Sequence, residues 1–129
     1  MFQIEGLDHV ALAVRDVRAS AAWYQEVLGL QREHEAAWGD HPAFVSAGNT
    51  GLALFPVEGP AQPLPGRHAL TMRHVAFRVD RANLERAKAE LALRRIAFSE
   101  QDHGIARSIY FLDPDGHELE LTTYEASSP

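Results

Sequence analysis

Leu7-Asp8-His9-Val10-Ala11-Leu12-Ala13-Val14 returns 65 residues later (74 − 9) as Met72-Arg73-His74-Val75-Ala76-Phe77-Arg78-Val79. The same offset pairs Gly51 with Gly116 (116 − 51 = 65), so the register holds across most of a module. A repeat at fixed period means two copies of one supersecondary unit. In the first copy Val10, Leu12 and Val14 fall on one face and His9, Ala11 and Ala13 on the other. That period of two predicts a strand. Residues 73–79 predict a second strand, with His74, Ala76 and Arg78 on one face. Two matched imidazoles can converge on one point if the copies face each other, which is one way a duplicated fold builds a metal site.

Outward from the first strand, Asp16 precedes Val17, Ala21, Tyr24 and Leu28, which are spaced for one face of a helix. Asp16 is a natural N-cap and Gly29 a natural stop. A second strand is expected within Leu30–His34. Two more follow at Ala43–Ser46 and Leu52–Phe55, joined by Gly48-Asn49-Thr50-Gly51, a turn signal. The second copy repeats the plan. Leu84, Ala87 and Leu91 mark a helix entered through Asp80 or Asn83, and Ile96-Ala97-Phe98 starts the next strand. Arg107–Leu112 and Glu118–Thr123 form a hairpin around Asp113-Pro114-Asp115-Gly116, whose Pro and Gly sit where a tight turn wants them. The expected fold is therefore α+β, with two tandem βαβββ modules. Module one spans about 5–56, an irregular linker 57–71 and module two about 72–124, in a single domain of 1–129. Pro56 to His68 carries four prolines and two glycines. Ala126-Ser127-Ser128-Pro129 reads as a frayed tail.

Bulk properties narrow the function classes. A chain of 129 residues fits one domain or two paired half-domains, each alone near the size where a core is marginal. The net charge is −6 and the basic residues are scattered, which argues against a nucleic-acid partner. There is no cysteine, so thiolate ligands, disulfides and a cysteine nucleophile are excluded. The N-terminal residues lack the blocks of a signal peptide, and no apolar run approaches a membrane span. A cytoplasmic location is expected.

Glu118 and Glu120 share one strand face, opposite Leu119 and Leu121. A carboxylate facing into a sheet must be paired, hydrogen-bonded or bound to a metal. Here the chain resembles the vicinal oxygen chelate superfamily of glyoxalases, extradiol dioxygenases, fosfomycin-resistance enzymes and bleomycin-binding proteins. The resemblance is carried by Leu7–Leu12, by Arg73–Phe77, and above all by Ile109-Tyr110-Phe111-Leu112-Asp113-Pro114-Asp115-Gly116-His117-Glu118-Leu119-Glu120-Leu121. It implies curved mixed sheets around a metal and substrate cavity, with ligands at His9, His74 and Glu120. The metal would be divalent: iron(II), manganese(II), zinc, nickel or cobalt. It would hold neighbouring oxygens of a small substrate and stabilise developing negative charge.

Departures from the pattern narrow the chemistry. The glyoxalase reaction commonly uses a further glutamate in the first module. The 65-residue offset from Glu120 lands on Phe55, and no carboxylate is near it. Ala11 stands where fosfomycin-resistance enzymes often carry a threonine. Extradiol dioxygenases carry a tyrosine ten residues before the ligand glutamate, which is Tyr110 here, and an upstream histidine, which His103 approximates. Tyr110 and His103 are thus the expected catalytic residues. Glu118 is expected to face solvent or be paired, and His34, His41, His68 and His117 to lie on the surface. Trp38 walls a pocket or covers the core. The expected protein is a metal-dependent lyase, isomerase or dioxygenase working as a homodimer with sites shared between chains. The alternative is a binding protein of the bleomycin-resistance type, which holds a small molecule without chemistry.

Overall fold

The computed structural model describes residues 1–125, so the Ala126–Pro129 tail lies outside the described residues. The chain divides into two units, Met1–Gln62 and the part from Pro63 onward. The first holds β1 (His9–Val14), α1 (Val17–Leu28), β2 (Gln31–Glu33), α2 (Glu35–Trp38), β3 (Ala43–Ala47) and β4 (Thr50–Pro56). The second holds β5 (Val75–Arg78), α3 (Arg81–Leu93), β6 (Ser99–Asp102), β7 (Arg107–Leu112) and β8 (Glu118–Thr123). The sheets run β1-β4-β3-β2 and β5-β8-β7-β6, so each unit is a βαβββ module. The first strand pairs parallel with the last and the other pairs are antiparallel. The fold is α+β. No helix among the described residues is long and apolar enough to cross a membrane.

Each helix covers one sheet face. Leu12, Val14, Leu52, Leu54 and Val45 are buried with Ala21 and Tyr24 of α1 in the first unit. Ile109, Phe111, Leu119 and Leu121 are buried with Leu84 and Leu91 of α3 in the second. Alternation then sends His9, Phe44, Ser46 and Ala53, and in the other unit His74, Ser108, Tyr110 and Glu120, to the face that the helix leaves open. The caps are chemical. Asp16 accepts from the Ala19 N–H at 3.0 Å, and Asp80, rather than Asn83, accepts from the Asn83 N–H at 2.8 Å. Gly29 takes a left-handed conformation (φ 67°) that closes α1.

Three local expectations change. The four-residue helix α2 has no counterpart in the strand pattern of the sequence. Residues Ile96–Phe98 do not begin a strand: α3 ends with Arg95 left-handed (φ 58°), and the Ile96 N–H folds back to the Leu91 carbonyl at 2.9 Å. Finally, the repeat drifts. Ala11 pairs with Ala53, while its repeat mate Ala76 pairs with Glu120, so the offset on the last strand is 67 (120 − 53) rather than 65. Ala53, not Phe55, is the counterpart of Glu120. It is no carboxylate either, so β4 still offers no further acidic ligand.

Candidate functional site

On the open face of the second sheet, register alone brings four chemical groups together. Tyr110 of β7 pairs with Glu120 of β8, which pairs with Ala76 of β5, and His74 immediately precedes β5. His74 Nε2 stands 2.9 Å from Glu120 Oε1. Glu120 is only 7% exposed, so its charge needs partners. Its other oxygen, Oε2, accepts from the Ser108 hydroxyl at 2.5 Å, and Ser108 Oγ is 2.9 Å from Thr122 Oγ1. On the far side of the imidazole, His74 Nδ1 lies 3.5 Å from Glu118 Oε1, and Glu118 Oε2 lies 3.7 Å from Arg67. Glu118 is therefore paired, as expected, but it is paired to the site. The imidazole is thus flanked by a carboxylate on each side, Glu118 at Nδ1 and Glu120 at Nε2.

Tyr110 and His103 belong to the same cluster. The phenol oxygen is 2.9 Å from His103 Nε2, and the Tyr110 ring meets the His74 ring edge-on at 5.6 Å. Burial, and after it the charge of Glu120, push the phenol above its ordinary pKa. Tyr110 thus stays protonated as a donor at neutral pH.

His9 lies in the first unit. Its Nδ1 is 2.8 Å from Asp8 Oδ2, which leaves Nε2 as the nitrogen that can take a cation. Both histidines therefore pair a carboxylate at Nδ1. Among the described residues no three His, Asp or Glu side chains of one chain gather as a metal site. His74 and Glu120 come together in the second unit, and His9 sits on the matching strand of the first. Within the second unit, an imidazole beside a buried carboxylate held by Ser108 is a donor pair that suits a divalent cation of intermediate softness.

Sequence reasoning missed Ser108 and Asp8. Ser108 shares the parity of Tyr110 two residues on, and Asp8 is the neighbour of His9, so strand spacing and adjacency were the available signals. His34 is exposed as expected, yet its ring packs against Trp38 at 4.8 Å and Phe44 at 5.2 Å. His41 and His68 are exposed. His117 is half-buried, with its backbone N–H bound to Asp113 Oδ1 at 2.9 Å. Trp38 walls a cavity.

A family model described as the Glyoxalase/Bleomycin resistance protein/Dioxygenase superfamily matches residues 6–121. The chain is 32% identical over 118 residues to the glutathione transferase FosA of Serratia marcescens, covering 92% of this chain and 80% of that protein. It is 30% identical over 117 residues to the catechol-2,3-dioxygenase of Bacillus subtilis (strain 168), covering 89% of this chain but 40% of that one. A glyoxylase/bleomycin resistance protein/dioxygenase domain from Frankia sp. EAN1pec has a solved structure that matches with a TM-score of 0.78. It is 26% identical, with 94% of this chain and 93% of that chain covered.

Proposed function

The chain belongs to the Glyoxalase/Bleomycin resistance protein/Dioxygenase superfamily, and from that premise we propose that it is a metal-dependent enzyme acting on a small oxygenated substrate. The observation that carries this reading is the 2.9 Å approach of His74 Nε2 to the buried Glu120 Oε1, with Ser108 holding the other carboxylate oxygen. His9, His74 and Glu120 would hold a divalent metal. That metal, when bound, would supply a Lewis acid that draws negative charge onto two neighbouring substrate oxygens.

The chain's own residues divide the remaining work. Ser108 fixes the Glu120 carboxylate, and Asp8 and Glu118 orient the two imidazoles. Tyr110 keeps its proton and donates a hydrogen bond to substrate oxygen as charge builds there. His103, 2.9 Å from the phenol oxygen, positions the hydroxyl and can relay its proton. The relatives named as a transferase and a dioxygenase are enzymes of different reaction type. They support an enzyme without choosing a reaction.

Among the described residues each sheet ends in outer strands paired on one side only, β1 and β2 in one and β5 and β6 in the other. Such edges invite a partner. A homodimer, in which His9 of one subunit serves the His74 and Glu120 of the other, is the assembly proposed here; a two-fold pair is the commonest oligomer. The metal assignment is tested by purifying wild type and Glu120→Ala, dialysing mildly, and measuring bound metal by mass spectrometry. A sharp fall in the variant is expected. Equal stoichiometry in both would remove Glu120 from the site.

A further inference from the structure

The open face of the first sheet carries a cavity of about 330 Å³ whose walls have a composition of their own. Three rings close one side. His34 lies 4.8 Å from Trp38 and 5.2 Å from Phe44, and Trp38 lies 6.1 Å from Phe44. His9 meets the same Phe44 ring edge-on at 5.6 Å, so the box is continuous with the proposed metal ligand. Trp38 stays 46% exposed, and a large indole left open at a cavity rim is a surface that waits for an apolar contact.

Two features show that the box is built rather than incidental. Phe44 can sit where it does only because position 51 is glycine: a Cβ there would stand 2.6 Å from Phe44 Cε1 and 2.6 Å from the Val45 carbonyl oxygen. His34 presents its ring from a left-handed backbone (φ 62°), a conformation that a non-glycine residue holds at some expense and that concentrates at functional sites.

The charge around the rings has one sign. Asp8 and Glu33 line the cavity and no lysine or arginine does. Through residue 62 the chain has three Arg or Lys against eight Asp or Glu. Of those three, Arg18 and Arg32 are already engaged by Asp40, at 2.8 and 3.4 Å. In the metal-free protein an anion entering this partly enclosed space meets Glu33 and the His9-bound Asp8 and no lysine or arginine, whereas a cation is drawn to the carboxylates and to the ring faces.

We propose that this cavity recognises an uncharged or cationic aromatic group and rejects carboxylates and phosphonates. The volume admits such a group, since a cavity of roughly 150 Å³ already holds benzene. Flat rings favour edge-to-face and offset packing of the kind that His34, Trp38 and Phe44 already make with one another. As a statement about the enzyme's substrate this rests on the metal reading of His9 and concerns the organic ring alone, because a dication on His9 would itself attract a chelating anion. As a statement about binding it needs no metal.

The test is run with chelator present, which separates it from the metal assignment. In a Trp23→Phe background the remaining indole is Trp38, and its fluorescence reports the box. Benzylamine, benzyl alcohol, benzoate and methylphosphonate are titrated separately. Benzylamine and benzyl alcohol are expected to give saturable changes, with benzoate weaker by about tenfold and methylphosphonate silent. Glu33→Gln should shrink the gap between benzylamine and benzoate, and Phe44→Leu should weaken both neutral and cationic rings. Saturation-transfer NMR on the wild type repeats the comparison without any substitution. No saturable signal from either ring compound, or benzoate binding as tightly as benzylamine, would overturn the proposal. Ring binding that persists while Glu120→Ala leaves metal content untouched would keep the pocket and discard the metal reading.

Discussion

Ser108 is the residue on which the Glu120 carboxylate depends. Its hydroxyl donates to Glu120 Oε2 at 2.5 Å inside a face where both groups are buried. Ser108→Ala leaves an acceptor without its donor, a loss of about 1–3 kcal/mol in stability, read by chemical denaturation. It also frees the carboxylate to turn, and removal of such a supporting contact commonly lowers metal affinity by about 10–100-fold. A metal titration of the variant checks this. Tyr110 differs, because in the proposed mechanism its contact to His103 and its raised pKa would serve the substrate rather than the metal. Tyr110→Phe is expected to keep wild-type metal content and to lose about 100-fold in turnover on an identified substrate. Unchanged turnover would make Tyr110 a packing residue. Strand parity placed His74 and Glu120 on definite faces, while Tyr110 and His103 were singled out only through the family resemblance. Ser108, the partner of Glu120, was not legible, because a serine inside a strand carries no signal until the cross-strand register is known.

At the scale of elements, the second module copies the first with small insertions, and these explain what the sequence hid. The N-capping aspartates are Asp16 and Asp80, the left-handed residues that close the helices are Gly29 and Arg95, and the last strands align Ala53 with Glu120. The separation grows along that series, so a single offset misplaces the final strand. Arg95 is the least legible of these. The Arg95 N–H reaches the Ala92 carbonyl at 3.1 Å and the Ile96 N–H the Leu91 carbonyl at 2.9 Å, the double closure usually announced by glycine. With arginine there, the helix end goes unmarked and Ile96 reads as strand. A left-handed L-residue costs about 1–2 kcal/mol, part of which glycine gives back through its freer unfolded chain. Arg95→Gly should therefore raise stability by about 0.5–1 kcal/mol, seen as a higher denaturation midpoint at unchanged slope. Helix α2 was illegible for a simpler reason: Glu35–Trp38 makes one turn, too short to show a period.

At the scale of the molecule, both βαβββ modules follow from the repeated histidine strand, from the two helical stripes and from the turn residues. What no repeat conveys is which copy of the chain completes which site. His9 stands on the first module and the His74–Glu120 pair on the second, and among the described residues each four-stranded sheet has outer strands paired on one side only. If two chains share their sites, subunit exchange separates the possibilities. His9→Ala and Glu120→Ala chains, each unable to hold metal alone, are mixed in equal amounts under conditions where mass-tagged subunits are seen to exchange, and bound metal is then counted. In a mixed dimer one site lacks both ligands and the other is intact. Half the dimers are mixed, so about a quarter of the wild-type metal content should return. No recovery despite proven exchange, or sedimentation as a monomer, would contradict a metal centre shared between subunits.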